Sequence, residues 1–348
     1  MAFAQPLQMP QEDDAFAPVL EALRQDPSTE FGEPGANIEL IGRVDGPFST
    51  VQRLRISAGA RSVTAYAKIL KPYSDTPDEQ VRADRMLRRE FNATKALFQV
   101  LQQDSEIGAV RPIAFLPEHR AVVTEEMPGQ QLSQVLASAS HSSPDLLAIA
   151  RRIGGWIRIY QSIAAAPKVV SLAERRAYLD ERLAQLEKRV ISRAERQGVL
   201  ATFDALAGQL GTEVPAVPIH ADLSPTNIIV DSNGRIAVLD FTMAKMGTTC
   251  HDISHLYFHL ELNGARRQKR EMMRDFQRAL LAGYSPALSD DSALFRLMLI
   301  QHAVCHVALL ASQRRLPVVD WVYGWFVRRR WRECQRMMQQ SAAPLRTA

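Results

Sequence analysis

The sequence predicts an α+β chain of two lobes, a small antiparallel-sheet lobe followed by a larger, mainly helical one. Three observations carry that prediction. Residues 37–127 alternate apolar and polar side chains in short runs broken by Gly and Pro, the period of half-buried strands. Beyond Gly129 the apolar spacing becomes that of amphipathic helices. The stretch from Val214 to Phe241, VPAVPIHADLSPTNIIVDSNGRIAVLDF, returns to short strands and presents two acids and an amide at their ends.

That stretch is an apolar run ending in His220, a polar loop with Asp222 and Asn227, and a hairpin, IIV-DSNG-RIAVL, that delivers Asp240 just before Phe241. Two acids and an amide at strand ends suit phosphoryl transfer to a hydroxyl. One carboxylate accepts the hydroxyl proton, while an amide oxygen and a second carboxylate hold Mg²⁺. The order His-x-Asp-x-x-x-x-Asn, then Asp-Phe, matches a kinase catalytic loop and its metal-binding segment.

HADLSPTN followed by VLDF resembles the aminoglycoside phosphotransferase-like branch of the protein-kinase-like fold, which includes choline and homoserine kinases. The departures are Ala221 for a usual Gly, Ser224 where His is frequent, and Thr242 where Gly often follows Asp-Phe. None removes a catalytic group. The resemblance implies a two-lobed kinase-like fold using ATP and Mg²⁺, with Asp222 as the base and Asn227 and Asp240 as metal ligands.

Composition sets the outer bounds. The 348 residues suffice for two packed lobes, and 46% hydrophobic with 23% charged content is that of ordinary globular chains. Forty-two basic against 38 acidic residues give a net charge of only +4, which argues against nucleic acid as a partner. Cys250, Cys305 and Cys334 are odd in number and far apart, so no disulfide is expected. The first residues lack the pattern of a signal peptide and no uninterrupted apolar run reaches the ~18 residues of a membrane span, so a cytoplasmic protein is expected.

In chain order, residues 1–36 read as a proline-punctuated arm with one short helix over 14–26, packed on the first lobe or disordered. Strands follow at 37–44, 48–57 and 62–70. The turn between the first two contains Gly46, with Ser49 beyond it, and in the kinase reading it folds over the phosphates. Its glycine spacing does not match Gly-x-Gly-x-x-Gly, and an ordinary hairpin turn is the competing reading. Lys68, near the end of the third strand, resembles the Val-Ala-Ile-Lys element that holds the α- and β-phosphates. A helix over 78–101 carries Glu90 at its middle, where the resemblance places the lysine's partner; Glu79 and Asp84 are rival acids nearer its start. Strands at 109–118 and 120–127 complete the first lobe, 37–127, and the resemblance puts adenine recognition on the backbone around Glu125, Glu126 and Met127.

The second lobe, 128–348, is expected to hold helices over 131–139, 144–166, 171–197 and 199–210, then three more over 264–341. His220 reads as a support of the loop, and Asp252 as its anchor. His251, His255 and His259 recur at helical spacing, with His302 and His306 further on; a metal stripe and satisfied core histidines are the competing readings, and the core reading is preferred. The last helix interleaves Trp321, Trp325, Phe326 and Trp331 with Arg328, Arg329, Arg330 and Arg332. It could rest on an anionic membrane surface, contact an acidic or phosphorylated substrate, or seal the core while its arginines reach water, the last being the preferred reading. The acceptor is expected to be a small-molecule hydroxyl, a sugar or metabolite. The alternatives are a kinase of a lipid-linked or polysaccharide precursor and a catalytically silent nucleotide-binding scaffold.

Overall fold

The computed structural model describes residues 16–25, 37–46, 49–58, 60–72, 74, 76–163, 168–187, 189–267 and 269–313, together with 321, 322, 324, 325, 327–333 and 336. The elements of the first half are α1 (Ala17–Gln25), β1 (Asn37–Asp45), β2 (Ser49–Ala58), β3 (Arg61–Leu70), α2 (Pro77–Leu101), β4 (Ile107–Ala109), β5 (Pro112–Leu116), β6 (Ala121–Glu125) and β7 (Gln130–Gln131). Next come α3 (Leu132–Ser138), α4 (Pro144–Ser162), β8 (Val169–Ser171), α5 (Leu172–Leu186), α6 (Arg193–Ala207) and β9 (Glu213–Ile219). The chain continues through β10 (Ile228–Val230), β11 (Ile236–Val238), β12 (Lys245–Thr248), α7 (His251–Arg267), α8 (Arg270–Tyr284) and α9 (Ala293–Gln313).

The fold is the expected two-lobed α+β, protein-kinase-like arrangement. It divides into two compact units: residues 1–137 with 226–244, and residues 138–225 with 245–348. The division is therefore not a single cut at 127/128. The hairpin β10–β11 belongs with the first unit because β10 pairs with β7 and β11 runs parallel to β4.

In the first unit an antiparallel sheet of order β1-β2-β3-β6-β5 has β3 at its centre. One face buries Leu54, Ile56, Ala65, Ala67 and Val123 against Phe16, Val19 and Leu23 of the α1 region. Part of the arm is thus a core element; the rest of it lies outside the described residues. The other face carries α2, whose buried stripe Ala83, Leu87, Glu90, Thr94, Leu97 and Leu101 steps by three and four residues. The strand expected over 109–118 is two strands in two sheets, broken at Val110–Arg111 before Pro112, which cannot donate to a ladder. The turn of the β10–β11 hairpin is fixed by Asp231, whose carboxylate accepts the N–H groups of Asn233 (2.8 Å) and Arg235 (2.9 Å), and by Gly234 at φ +74°.

The second unit is mainly helical. α4 and α8 cross so closely that neither Gly154 nor Gly283 has room for a Cβ. The helix expected over 171–197 is two, broken at residues 187–192. Ser192 restarts the chain as α6 with a capping box: its hydroxyl accepts the Glu195 N–H at 3.2 Å and Glu195 accepts the Ser192 N–H at 2.8 Å. The apolar α9 satisfies the length and hydropathy of a membrane span, yet is mostly buried, packed beside α5, α6 and α7 as a core helix.

The terminal Arg/Trp segment divides by face rather than by residue type. Trp331 packs over Gly198 and donates to Thr202 Oγ1 at 3.0 Å, and Arg330 is buried, whereas Trp321 is 70% exposed. Phe326 and Cys334 lie outside the described residues. Cys250 and Cys305 are free thiols.

Candidate active site

Lys68 sits on the central strand β3, in register with Val51 of β2 on one side and Val122 of β6 on the other. Its ammonium reaches Glu90 Oε1 at 3.1 Å and Asp240 Oδ1 at 2.7 Å. Glu90 projects from the buried stripe of α2 with its side chain 9% exposed, and among the described residues its Oε2 has no hydrogen-bond partner. Glu79 and Asp84 instead form outer pairs with Arg82 and Arg120. Burial and the neighbouring Asp240 hold the Glu90 carboxyl above its ordinary pKa against the pull of Lys68. Burial acts to lower the Lys68 pKa, but Glu90 and Asp240 together more than reverse it, so the ammonium stays charged.

Asp240 terminates the β10–β11 hairpin in a left-handed conformation, φ +66°. Thr242, a residue singled out in the sequence only as a departure, donates its hydroxyl to Asp240 Oδ1 at 2.6 Å. Asn227 precedes the same hairpin. The Leu239 N–H donates to the Asn227 carbonyl at 2.9 Å, so antiparallel pairing brings Asn227 and Asp240 to one end of the hairpin. An amide and a carboxylate side by side, with Asp240 40% exposed, are the hard oxygen donors that suit Mg²⁺.

Other first-unit positions are more constrained than the sequence implies. The Gly46 N–H closes the β1–β2 turn on the Ser49 carbonyl at 2.8 Å, so it is engaged in the hairpin and does not point outward as a phosphate donor. Asp45 accepts from Arg43, Thr50 and Lys71, the first of these doing most to hold its carboxyl down at about 2. At the end of β6 the Glu125 N–H donates to Arg111 O and the Glu126 N–H to Thr64 O, both at 2.8 Å. Their side chains are held by Arg111 and by Arg53 with Tyr66. Among the described residues no backbone–backbone hydrogen bond engages the Met127 N–H.

Asp222 belongs to the second unit and is exposed. Its N–H donates to His220 Nδ1 at 3.3 Å, a weak bond that places His220 as a support of the loop. Asp252, fully buried on α7, accepts the His220 N–H at 2.7 Å and the Ala221 N–H at 3.0 Å. Burial disfavours its charge, but His251, His220 and these donors outweigh burial and lower its pKa. Ala221 is held at φ +65°, a left-handed conformation that glycine adopts without strain. Ala221 therefore carries strain that the Asp252 bonds sustain.

The histidines form a buried cluster. His255 Nε2 lies 3.2 Å from His259 Nε2, and His302 Nε2 lies 3.1 Å from both the His251 carbonyl, to which it can only donate, and Ser254 Oγ. Among the described residues no three His, Cys, Asp or Glu are arranged to hold a metal ion. Burial first, then neighbouring histidines, push the His255 and His302 pKa values well below the ordinary value. A depressed histidine pKa contributes stability that is whole above about 6.5 and lost as the pH falls through that value, because only the unfolded chain then takes up the proton. The urea midpoint is expected to drop between pH 7.5 and 5.5, with a slope of up to about 1.4 kcal/mol per pH unit for each of the two histidines. A midpoint flat across that range would contradict the cluster's neutrality.

Residues 55–288 match the phosphotransferase enzyme family. No curated protein matches the chain. Solved structures share the fold at low identity. An aminoglycoside phosphotransferase solved with GDP and kanamycin is 14% identical, with a TM-score of 0.53, covering 93% of this chain and 99% of its own. A choline/ethanolamine kinase family protein from Mesorhizobium loti is 17% identical, with a TM-score of 0.52, over 94% and 95% of the two chains. A macrolide 2'-phosphotransferase from Brachybacterium faecium is 17% identical, with a TM-score of 0.52, over 90% and 98%.

Proposed function

The chain belongs to the phosphotransferase enzyme family, and from that premise we propose that it moves the γ-phosphate of ATP to a hydroxyl of a sugar or other small metabolite, in a Mg²⁺-dependent reaction. The observation that carries the reading is the Lys68–Glu90–Asp240 set, three ionisable groups brought together from β3, α2 and the end of the β10–β11 hairpin. Such a set is expensive to build for stability alone, since desolvation opposes it.

In this reading Lys68, aligned by Glu90, binds the α- and β-phosphate oxygens as a point charge. Asn227 and Asp240 would hold Mg²⁺, which when bound would supply positive charge to offset that of the phosphates. Asp222 orients the acceptor hydroxyl and accepts its proton as the new P–O bond forms. Thr242 fixes the Asp240 carboxylate, while Asp252 fixes the backbone that carries Asp222. The Met127 backbone supplies the adenine edge contact.

The acceptor is not legible from fold likeness, since the neighbours named above include aminoglycoside, choline and macrolide enzymes. The test is ATP consumption against a panel of sugars, amino alcohols and aminoglycosides. ATP that binds but is consumed with no acceptor would overturn the reading. Asp240→Ala is expected to remove the metal-dependent part of ATP affinity, so that calorimetry gives one affinity with and without Mg²⁺. A variant that still binds ATP more tightly with Mg²⁺ argues against Asp240 as a ligand.

A further inference from the structure

The second unit contains a cavity of about 580 Å³ bounded by α7, α8, the α8–α9 connection and helical residues near the C-terminus, Trp325, Arg329, Arg330, Glu333 and Arg336. Its lining includes six arginines and four carboxylates, a surplus of two positive charges in a chain whose overall charge is nearly balanced. The pairing within it is unequal. Glu261 and Glu333 are both taken by Arg329 and Arg330, and Asp290 and Asp291 both face Arg296. All four acids thus have cationic partners.

The other three arginines do not share in this. Among the described residues no carboxylate pairs with Arg270, Arg274 or Arg336, although all three line the cavity. Arg270 and Arg274 are one turn apart on α8, hence on one face, and Arg270 opens that helix, where the dipole adds positive potential. Trp325, 41% exposed and with Arg329 stacked 5.4 Å from its ring centroid, gives the same cavity an aromatic wall. A concave site with an aromatic wall and a surplus of guanidinium groups suits a small molecule bearing an oxyanion.

We propose that this cavity binds a small molecule carrying a phosphate or carboxylate group, held by Arg270, Arg274 and Arg336 beside Trp325. The ligand is either an acceptor of the transfer reaction or an effector that is not consumed; its oxyanion is common to both. Its size matches a monosaccharide phosphate or a small polycarboxylate better than a polymer.

Binding is measured by calorimetry on the full chain without nucleotide, which keeps the result independent of the phosphotransferase assignment. The probes are inorganic phosphate, glucose 6-phosphate and citrate, titrated at constant ionic strength set with potassium chloride. Saturable binding of at least one is expected, weakened about tenfold or more in Arg274→Glu and in Arg270→Glu. Both positions are exposed, so these variants are expected to keep the wild-type melting temperature. Arg61→Glu, exposed on the first unit, is the control expected to bind as wild type.

Adding ATP and following ³¹P spectra separates the sources: a probe converted to a new phosphoester is an acceptor, and one bound unchanged is an effector, either supporting the site. No saturable binding of any of the three, or equal weakening by Arg61→Glu, overturns it.

Discussion

Asp222→Asn lowers turnover by about a hundred- to ten-thousand-fold and leaves ATP affinity within a small factor of wild type; single-turnover kinetics and calorimetry on one preparation check both halves. The magnitude is that of removing a positioned general base. The selectivity for turnover follows from how the loop is held. The bonds that fix it run from Asp252 to the backbone at His220 and Ala221, and from the Asp222 backbone to His220. None of these three bonds needs the Asp222 carboxylate, so exchanging it for an amide leaves them in place. A variant with wild-type turnover would show that the hydroxyl proton leaves by another route.

The second large effect concerns stability. Lys68→Met is expected to destabilise the first unit by about 3 kcal/mol or more near pH 8, because a buried pair broken from one side leaves its charge uncompensated. Here two carboxylates would remain: Glu90, with an oxygen already lacking a partner among the described residues, and Asp240 beside it. Their mutual repulsion adds to burial, which already holds the Glu90 pKa above its usual value. A folded pKa raised above the unfolded one means stability that is complete below the unfolded value, near 4.3, and lost as pH rises through the folded value. The variant's deficit should therefore shrink as the pH is lowered from 8 towards 5. Adding Glu90→Gln to Lys68→Met should restore much of the loss at pH 8. Denaturant titrations of the single and double variants at two pH values decide it; a deficit independent of both pH and Glu90 would point to lost packing of the lysine stem instead.

The site's components were legible because each has local chemistry. The spacing of Asp222, Asn227 and Asp240 is a property of one loop and one hairpin, with an Asp-Ser-Asn-Gly turn that forces the return. Lys68 was readable from its strand, and Glu90 from its place on a helical stripe. The break at residues 187–192 was also written locally, in the Ser192–Glu195 box, but an unbroken leucine stripe over 172–190 masked it. Two further details escaped because residue type alone does not say which way a group turns within a few residues. The Gly46 N–H turns inward to Ser49, and Thr242 braces Asp240, and neither is a matter of residue type.

By itself the sequence determined the two-lobed α+β order, the acid–amide–acid hairpin and the lysine and glutamate that complete it, since turn chemistry, hydrophobic period and residue identity act over a few residues. Only the tertiary structure decided that the hairpin groups with the first unit, in a second sheet formed with β4 and β7. It also decided which arginines of the last helix are buried and paired, and which α8 arginines are left to face a cavity. A strand carries its alternation wherever it goes, but its neighbour, and the partner of a long charged side chain, are chosen by the whole fold.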